Sequence, residues 1–161
     1  MTRPPFESFT ERDVEIVSAQ LGRQARDVIG IPARCVCGAP TVVATRPRLA
    51  HGTPFPTLYY LTHPAATIAI SRLEANGRMA ELAAELAHDE ALATQYRAAH
   101  EAYLADRAGI LAVDEIAGYS AGGMPSRVKC LHALAGHSLA AGPGLNPIGD
   151  RALAECGWSP E

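Results

Sequence analysis

The sequence predicts an α+β domain in which a small antiparallel sheet, made of a hairpin plus one strand, is covered by four to six helices. Helical periodicity recurs along most of the chain, whereas only three short runs favour strands. The regular strand–helix alternation of a doubly wound parallel sheet is missing. With 161 residues, 48% of them hydrophobic, we expect a single domain over residues 1–161 with flexible ends at 1–8 and 157–161.

The first helix is predicted to begin after Thr10, because Thr10 can cap it and Asp13 stands at the third helical position. The chain then turns to β-leaning residues in two runs, 28–34 and 41–45. Residues 35–40, Cys-Val-Cys-Gly-Ala-Pro, lie between the runs. This pattern predicts a β-hairpin with a turn that carries two cysteines.

A buried strand is predicted at 58–61, Leu-Tyr-Tyr-Leu, after a loop rich in Pro and Gly. His63 and Pro64 should open the next helix, since Pro is favoured at the first helical position. That helix should end near Gly77, which can adopt the left-handed conformation of a helix cap.

Two more helices are predicted in the middle of the chain. The first carries Met79, Leu82 and Leu86 at helical spacing, and Asp89 should cap the second. The apolar stripe of this longer helix comprises Leu92, Tyr96, Ala99 and Tyr103.

The last third combines glycine-rich connections with helical segments. Residues 118–125 read as a connection, and 126–141 as a helix that begins at Ser126. Two prolines and three glycines in 142–150 predict an irregular segment. A short terminal helix is expected at 152–156.

The bulk composition excludes some classes of function. Lys and Arg number 14 against 17 Asp and Glu, a net charge of −3, so we expect no generic nucleic-acid binding. No run of about 18 apolar residues predicts a membrane span, and the polar stretch 1–13 does not resemble a signal peptide. We therefore expect a cytoplasmic protein with mostly reduced cysteines at positions 35, 37, 130 and 156.

Thiol and imidazole groups indicate a metal site. Cys35 and Cys37 share the hairpin turn, His63 follows the third strand, and Cys130 precedes the last long helix. Thiolate and imidazole are the usual donors to zinc, so these four residues are the candidate ligands, with His132 as a substitute. The alternative is that the thiols only fill space in the core.

Helix geometry limits which residues can share an ion. Within a regular helix Cys130 and His132 would diverge by about 200°, so they can share a metal only if the helix begins after Cys130. Cys130 and His137 lie on nearly the same face, but about 10 Å apart along the axis. These two therefore cannot easily share one ion.

The segment 122–132 suggests two other chemistries. If a helix begins at Ser126, its free N–H groups together with Arg127 and Lys129 could bind an anion such as phosphate or a nucleotide. A thiol near such a helix start is also a candidate nucleophile. The catalytic candidates are then Cys130, with His132 or His137 as base.

Several motifs together resemble the bacterial domain-of-unknown-function 501 family, over roughly residues 9–153. The motifs are Arg-Cys-Val-Cys-Gly (34–38), Gly-Thr-Pro-Phe-Pro-Thr-Leu-Tyr-Tyr-Leu-Thr (52–62), Ser-Arg-Leu-Glu (71–74), Val-Lys-Cys-Leu-His (128–132) and Ala-Ala-Gly-Pro-Gly-Leu-Asn-Pro-Ile-Gly-Asp (140–150). The resemblance implies no established activity. It implies that relatives often have Cys at the position of His63, which favours a zinc-compatible ligand there. It also implies that some relatives have His at the position of Leu134.

The leading hypothesis is therefore a zinc-binding protein. The alternatives are a phosphate- or nucleotide-binding enzyme that uses 122–132, and a non-catalytic module that binds a protein partner. The resemblance links that module to cell division or polyphosphate metabolism. The sequence does not distinguish an enzyme from a binding protein, and the partner is expected to be a small anion or a protein.

Overall fold

The computed structural model of the protein describes residues 4–161 and has the predicted α+β architecture. A short 3₁₀ helix, Asp114–Ile116, follows α4. The other elements, in chain order, are α1 (Glu11–Leu21), β1 (Val28–Arg34), β2 (Pro40–Thr45), β3 (Tyr59–Leu61), α2 (Pro64–Ala75), α3 (Arg78–His88), α4 (Glu90–Ile110), α5 (Leu131–Ala141) and α6 (Pro147–Glu155).

The sheet has the order β1-β2-β3, and both neighbouring pairs are antiparallel. Side chains alternate between its two faces. One face contributes Val42 and Tyr59 to the main core, where α5 packs against β3. The other face buries Val43 against Val17 of α1. The sheet thus separates a large core under α5 from a small one under α1.

Three of the predicted helix starts, those after Thr10, His63 and Asp89, are confirmed. The side chains of Thr10 and Asp13 each bind the other's backbone N–H, which forms a capping box. Asp89 accepts a hydrogen bond from the N–H of Leu92 at 2.9 Å. His63 is the N-cap of α2, with Pro64 at the first helical position.

Helix α4 buries the predicted apolar stripe Leu92, Tyr96, Ala99 and Tyr103. It buries Arg107 as well, whose guanidinium donates to the carbonyl of Pro56 at 2.7 Å and also to that of Ile116. Neither α4 nor any other helix within residues 4–161 combines the length and apolar character needed to cross a membrane.

The predicted start of α5 at Ser126 is wrong, because the helix begins five residues later at Leu131. The preceding chain folds back on the glycine loop instead. The N–H of Arg127 donates to the carbonyl of Gly123 at 2.8 Å, and that of Lys129 to the carbonyl of Gly122 at 2.7 Å. These bonds hold the segment before Leu131 out of the helix.

The prediction of an irregular segment over 142–150 is confirmed only up to Asn146, since α6 begins at Pro147. The side chain of Asn146 caps α6 by accepting a hydrogen bond from the N–H of Gly149 at 3.0 Å. Pro147 stands at the first helical position, where its missing N–H costs nothing. Of the two prolines, Pro143 lies in the irregular segment and Pro147 begins the helix.

Both chain ends contact the hairpin. Residues 1–3 of the expected flexible end 1–8 lie outside the described residues, but Glu7 forms an antiparallel bridge with Ile31. At the other end the ring of Trp158 lies 5.3 Å from that of His63. The carbonyl of Pro160 accepts a hydrogen bond from the N–H of Val36 at 2.9 Å. Segment 157–161 is thus attached to the turn of the hairpin.

Candidate metal centre

The start of α5 lies against α2, and a side chain from α2 caps it. Cys130 is the N-cap residue, in an extended conformation with φ −152°, but its own side chain makes no capping bond. The carboxylate of Glu74 accepts a hydrogen bond from the N–H of Leu131 at 2.8 Å instead. A negative group at a helix start is stabilised by the exposed N–H groups and the helix dipole.

This contact brings three potential metal ligands together. The ligand atoms of Glu74, Cys130 and His132 all lie within 4.8 Å of one another, and the three side chains are half-buried. The geometric condition for Cys130 and His132 to share an ion is met, because α5 begins at Leu131.

The surroundings of His132 determine which ring nitrogen carries a proton. Its Nε2 lies 3.2 Å from the carbonyl oxygen of Thr67 and 3.0 Å from the Oγ of Ser71. A carbonyl oxygen only accepts, so Nε2 must be protonated to bind it. In the neutral ring the lone pair is then on Nδ1, which faces a Glu74 oxygen at 3.2 Å. Two lone pairs at this distance repel each other, so a cation between them, either a proton or a metal ion, would stabilise the contact.

The ionisation of Cys130 and His132 is coupled. A hydrogen bond from His132 lowers the pKa of the Cys130 thiol, and the N–H of Ala133 lowers it further, while burial raises it. The same bond with Cys130 raises the pKa of His132, opposed by burial and supported by the negative charge of Glu74 and the Thr67 carbonyl. The arrangement favours a thiolate, which is the form that binds metals and attacks electrophiles.

A cavity of about 300 Å³ opens beside these residues. Its walls are strand β3 with the preceding Thr57, Thr67 near the start of α2, and the beginning of α5, from which Cys130 and His132 line it. The other residues that line the cavity are uncharged threonine, tyrosine, leucine and alanine side chains. A small molecule in it would contact the sulfur and the imidazole directly.

The other predicted metal ligands are not part of this group. Cys35 and Cys37 are joined in a disulfide, which corrects the expectation that they are reduced and removes their thiolates as ligands. The ring of His63 packs on Trp158, and its Nδ1 is buried without a hydrogen-bond partner in the described structure. Of the four predicted ligands, only Cys130 lies in the cluster with Glu74 and His132.

The predicted anion site has a different form from the one expected. Ser126, Arg127 and Lys129 are exposed beside a wide depression of about 460 Å³. They precede α5 rather than starting it, and the N–H groups of Arg127 and Lys129 already donate to carbonyls of the glycine loop. The helix dipole that was expected to attract an anion is therefore not at this position.

His137 lies apart from Cys130, in the core on α5. It is fully buried, its ring stacks on Tyr59 with a centroid distance of 5.6 Å, and it meets Tyr103 edge-on at 4.9 Å. The side-chain amide of Asn146 donates to its Nδ1 at 3.1 Å. This packing ties α5 to the sheet and to the start of α6.

Glu74 is the site residue that the sequence analysis did not identify. A signal for it is the spacing of Thr67, Ser71 and Glu74 at +4 and +3, which places three polar groups on one face of α2. All three contact His132. A polar face on one helix, together with a Cys-x-His motif elsewhere in the chain, is therefore the pattern that would have indicated Glu74 as a partner of His132.

Comparison with known protein families assigns most of the chain to a family. A family model described as "Protein of unknown function (DUF501)" matches residues 31–154, which include every residue of the cluster. No curated protein and no solved structure gives a match.

Proposed function

Because the chain belongs to the DUF501 family of proteins of unknown function, we propose a function from its geometry alone: Glu74, Cys130 and His132 bind a divalent transition metal ion. Sulfur, nitrogen and oxygen donors together suit zinc best among the common ions. The observation that carries the proposal is the approach of three potential ligand atoms to within 4.8 Å of one another.

The charges support a cation at this place. A carboxylate and a thiolate together carry two negative charges, which a divalent ion would neutralise. Nitrogen and oxygen ligands of one tetrahedral zinc ion lie about 3.3 Å apart for ordinary bond lengths, and Nδ1 of His132 lies 3.2 Å from Glu74. Metal-binding histidines commonly donate their second N–H to a carbonyl, as His132 does to Thr67.

The number of ligands indicates the role of the ion. Structural zinc sites have four protein ligands, whereas catalytic sites have three and keep one position for water or substrate. Only Glu74, Cys130 and His132 form such a group in the part of the chain that the structure describes. Cys130 and His132 both line the neighbouring cavity, so an ion held by them would be accessible to a small molecule.

Elemental analysis tests the proposal directly. Protein purified without chelator, or dialysed against zinc and then buffer, should contain about one equivalent of zinc. The variant Cys130→Ser should lose it, while the matched control Cys156→Ser should keep it, because the Cys156 thiol donates to the backbone carbonyls of Leu153 and Trp158 and lies outside the cluster. Less than about half an equivalent in the wild-type protein, or equal zinc in both variants, would contradict a site at Cys130.

A second candidate function uses the same residues without a metal. His132 and the N–H of Ala133 both lower the pKa of the Cys130 thiol, which favours a thiolate, and the imidazole faces Glu74. A thiol beside an imidazole that is held in place by the Thr67 carbonyl and the Glu74 carboxylate forms a nucleophilic site. We infer that Cys130 would attack an electrophile held in the cavity, with His132 as the general base.

Alkylation of chelator-treated protein separates the two candidates. If Cys130 is a nucleophile, it should react with iodoacetamide at least about tenfold faster than Cys156. If it is a metal ligand, one equivalent of zinc should protect it and leave Cys156 unaffected. Slow alkylation of Cys130 in metal-free protein would exclude the nucleophile, and fast alkylation that zinc does not change would exclude the metal.

The location and partners are also proposals. A cytoplasmic location agrees with the composition of the chain, and the expected partner is a small anion or a protein. Fractionation of cells that express the tagged chain would test the location.

A further inference from the structure

The turn of the β1–β2 hairpin contains a disulfide between residues separated by one position. The Cα atoms of Cys35 and Cys37 are 5.3 Å apart. Cys37 is exposed and Cys35 is half-buried. The disulfide is therefore accessible to a thiol from solution.

The turn is also closed by hydrogen bonds that do not involve sulfur. The N–H of Cys35 donates to the carbonyl of Ala39 at 3.0 Å, and the N–H of Gly38 to the carbonyl of Cys35 at 2.9 Å. The guanidinium of Arg34 donates to the carbonyl of Gly38 at 2.9 Å. These bonds would keep the two sulfurs close together after reduction.

The place of this crosslink in the chain argues against a structural role. A disulfide stabilises a fold chiefly by closing a loop in the unfolded chain, and the effect falls as the loop shortens. Cys35 and Cys37 enclose one residue, and the β1–β2 pairing already fixes that residue's position. The crosslink consequently adds little to the stability of the hairpin.

We propose that the Cys35–Cys37 disulfide is an exchange site that accepts two electrons from thiols. A thiolate attacks the Sγ of Cys37, the bond between the two cysteines breaks, and Cys35 leaves as a thiolate that takes up a proton. A second thiol then attacks the mixed disulfide on the incoming sulfur and displaces the thiolate of Cys37, which is also protonated. The chain gains two thiols, and the two incoming thiols become one disulfide.

The surroundings of the turn suit both small and protein thiols. Val36, between the two cysteines, is 79% exposed, so its side chain offers an apolar contact to a partner. Its N–H donates to the carbonyl of Pro160, which attaches the turn to the last residues of the chain. The carboxylates of Glu7 and Asp13 pair with Arg34 next to the turn, which reduces their repulsion of an approaching thiolate.

Equilibration with glutathione tests the proposal on the full chain. The protein is incubated at a series of ratios of reduced to oxidised glutathione, and free thiols are then alkylated. Mass spectrometry of the tryptic peptide that begins at Cys35 shows how many of its cysteines are alkylated. The doubly alkylated fraction should rise with the ratio and fall again when oxidised glutathione is added. The thermal midpoint should change by less than about 3 °C.

Two results would overturn the proposal. A peptide that stays crosslinked in excess reduced glutathione until the protein is denatured, or a much larger fall in the midpoint on reduction, would identify a structural disulfide. A doubly alkylated peptide even in excess oxidised glutathione would show that the bond does not form in solution.

The variant Cys35→Ser traps the first step. Cys37 then has no neighbouring thiol to displace a bound glutathione, so a mixed disulfide should accumulate on it with oxidised glutathione, to at least about ten times the level on Cys156. Equal labelling of the two residues would contradict an accessible exchange site. A reduced thioredoxin-type protein, compared with glutathione at equal thiol concentration, distinguishes the sources: more than about tenfold faster reduction indicates a protein dithiol. An equal rate indicates a small thiol.

Discussion

Nδ1 of His132 lies 3.2 Å from a carboxylate oxygen of Glu74, although the two residues are 58 positions apart. The contact joins the last turn of α2 to the first turn of α5. The same carboxylate caps α5 through Leu131, so one side chain has both a structural and a chemical role.

Replacement of Glu74 by glutamine separates these two roles. The amide oxygen can still accept the hydrogen bond from Leu131, but the negative charge is lost. We expect zinc affinity to fall at least about tenfold, with little change in the free energy of unfolding of the metal-free protein. Zinc titration by calorimetry and urea denaturation measure the two effects. The control Glu101→Gln, on the exposed face of α4, should change neither, and unaltered zinc affinity in Glu74→Gln would remove Glu74 from the site.

The ion pair of Asp13 with Arg34 predicts a pH dependence of stability. Both carboxylate oxygens accept hydrogen bonds from the guanidinium, at 2.7 and 3.0 Å. These bonds hold the pKa of Asp13 well below its usual range, although burial opposes the shift. The folded-state pKa is thus lower than the unfolded one, near 3.9. The contribution is therefore complete above about pH 4 and lost as the pH falls further.

The variant Asp13→Asn should accordingly lower the free energy of unfolding by about 2 kcal/mol at neutral pH. The difference from the wild type should narrow as the pH falls to about 3 and below. Urea denaturation at both pH values measures it. The control Glu7→Gln removes the exposed partner of Arg34 and should have little effect, since exposed ion pairs contribute little. A difference that is constant with pH would show that ionisation of Asp13 is not the cause.

Gly149 should not tolerate a methyl group. A Cβ at this position would lie well inside contact distance of the Leu134 carbonyl and the Ser138 hydroxyl of α5. We expect Gly149→Ala to lower the free energy of unfolding by about 2 kcal/mol or more. Gly109→Ala is the matched control, because Gly109 lies in α4 with open space around it. That control should raise the free energy of unfolding by about 0.5–1 kcal/mol. If both substitutions changed the free energy of unfolding in the same direction, the packing argument would be refuted.

The hydroxyl of Tyr103 satisfies two backbone groups in the core. It accepts hydrogen bonds from the N–H groups of Leu58 at 2.6 Å and Tyr59 at 3.2 Å. The variant Tyr103→Phe leaves both without this acceptor, so we expect a loss of about 2–3 kcal/mol in chemical denaturation. Tyr119→Phe, at a 71% exposed position, should be neutral. A neutral Tyr103→Phe would mean that another group accepts these bonds.

Local sequence signals predicted much of the fold. Thr10 with Asp13, Pro64 after His63, and Asp89 each mark a helix start, because capping depends on residues within one turn. The start of α5 was not predictable in this way. It depends on the carbonyls of Gly122 and Gly123, which accept hydrogen bonds from the N–H groups of Lys129 and Arg127 and so keep this segment from being helical.

The candidate site was predicted only in part, for a related reason. Cys130 and His132 stand out as chemically versatile residues close together in the chain. Glu74 resembles any surface glutamate until α2 is placed against α5, a relationship set by tertiary packing. Cys35 and Cys37 look like a metal pair from their composition, but their separation also permits the bond that they form with each other.

The two glycines that let α5 pack closely also affect how the site moves. Gly136 brings α5 against the backbone of Tyr59, and Gly149 brings α6 against Leu134. With so little space on either side, we expect the middle of α5 to be held firmly between β3 and α6. Hydrogen-bonded amide protons in the middle of this helix should therefore exchange slowly with deuterium, and the pocket should take up its ligand without a large rearrangement.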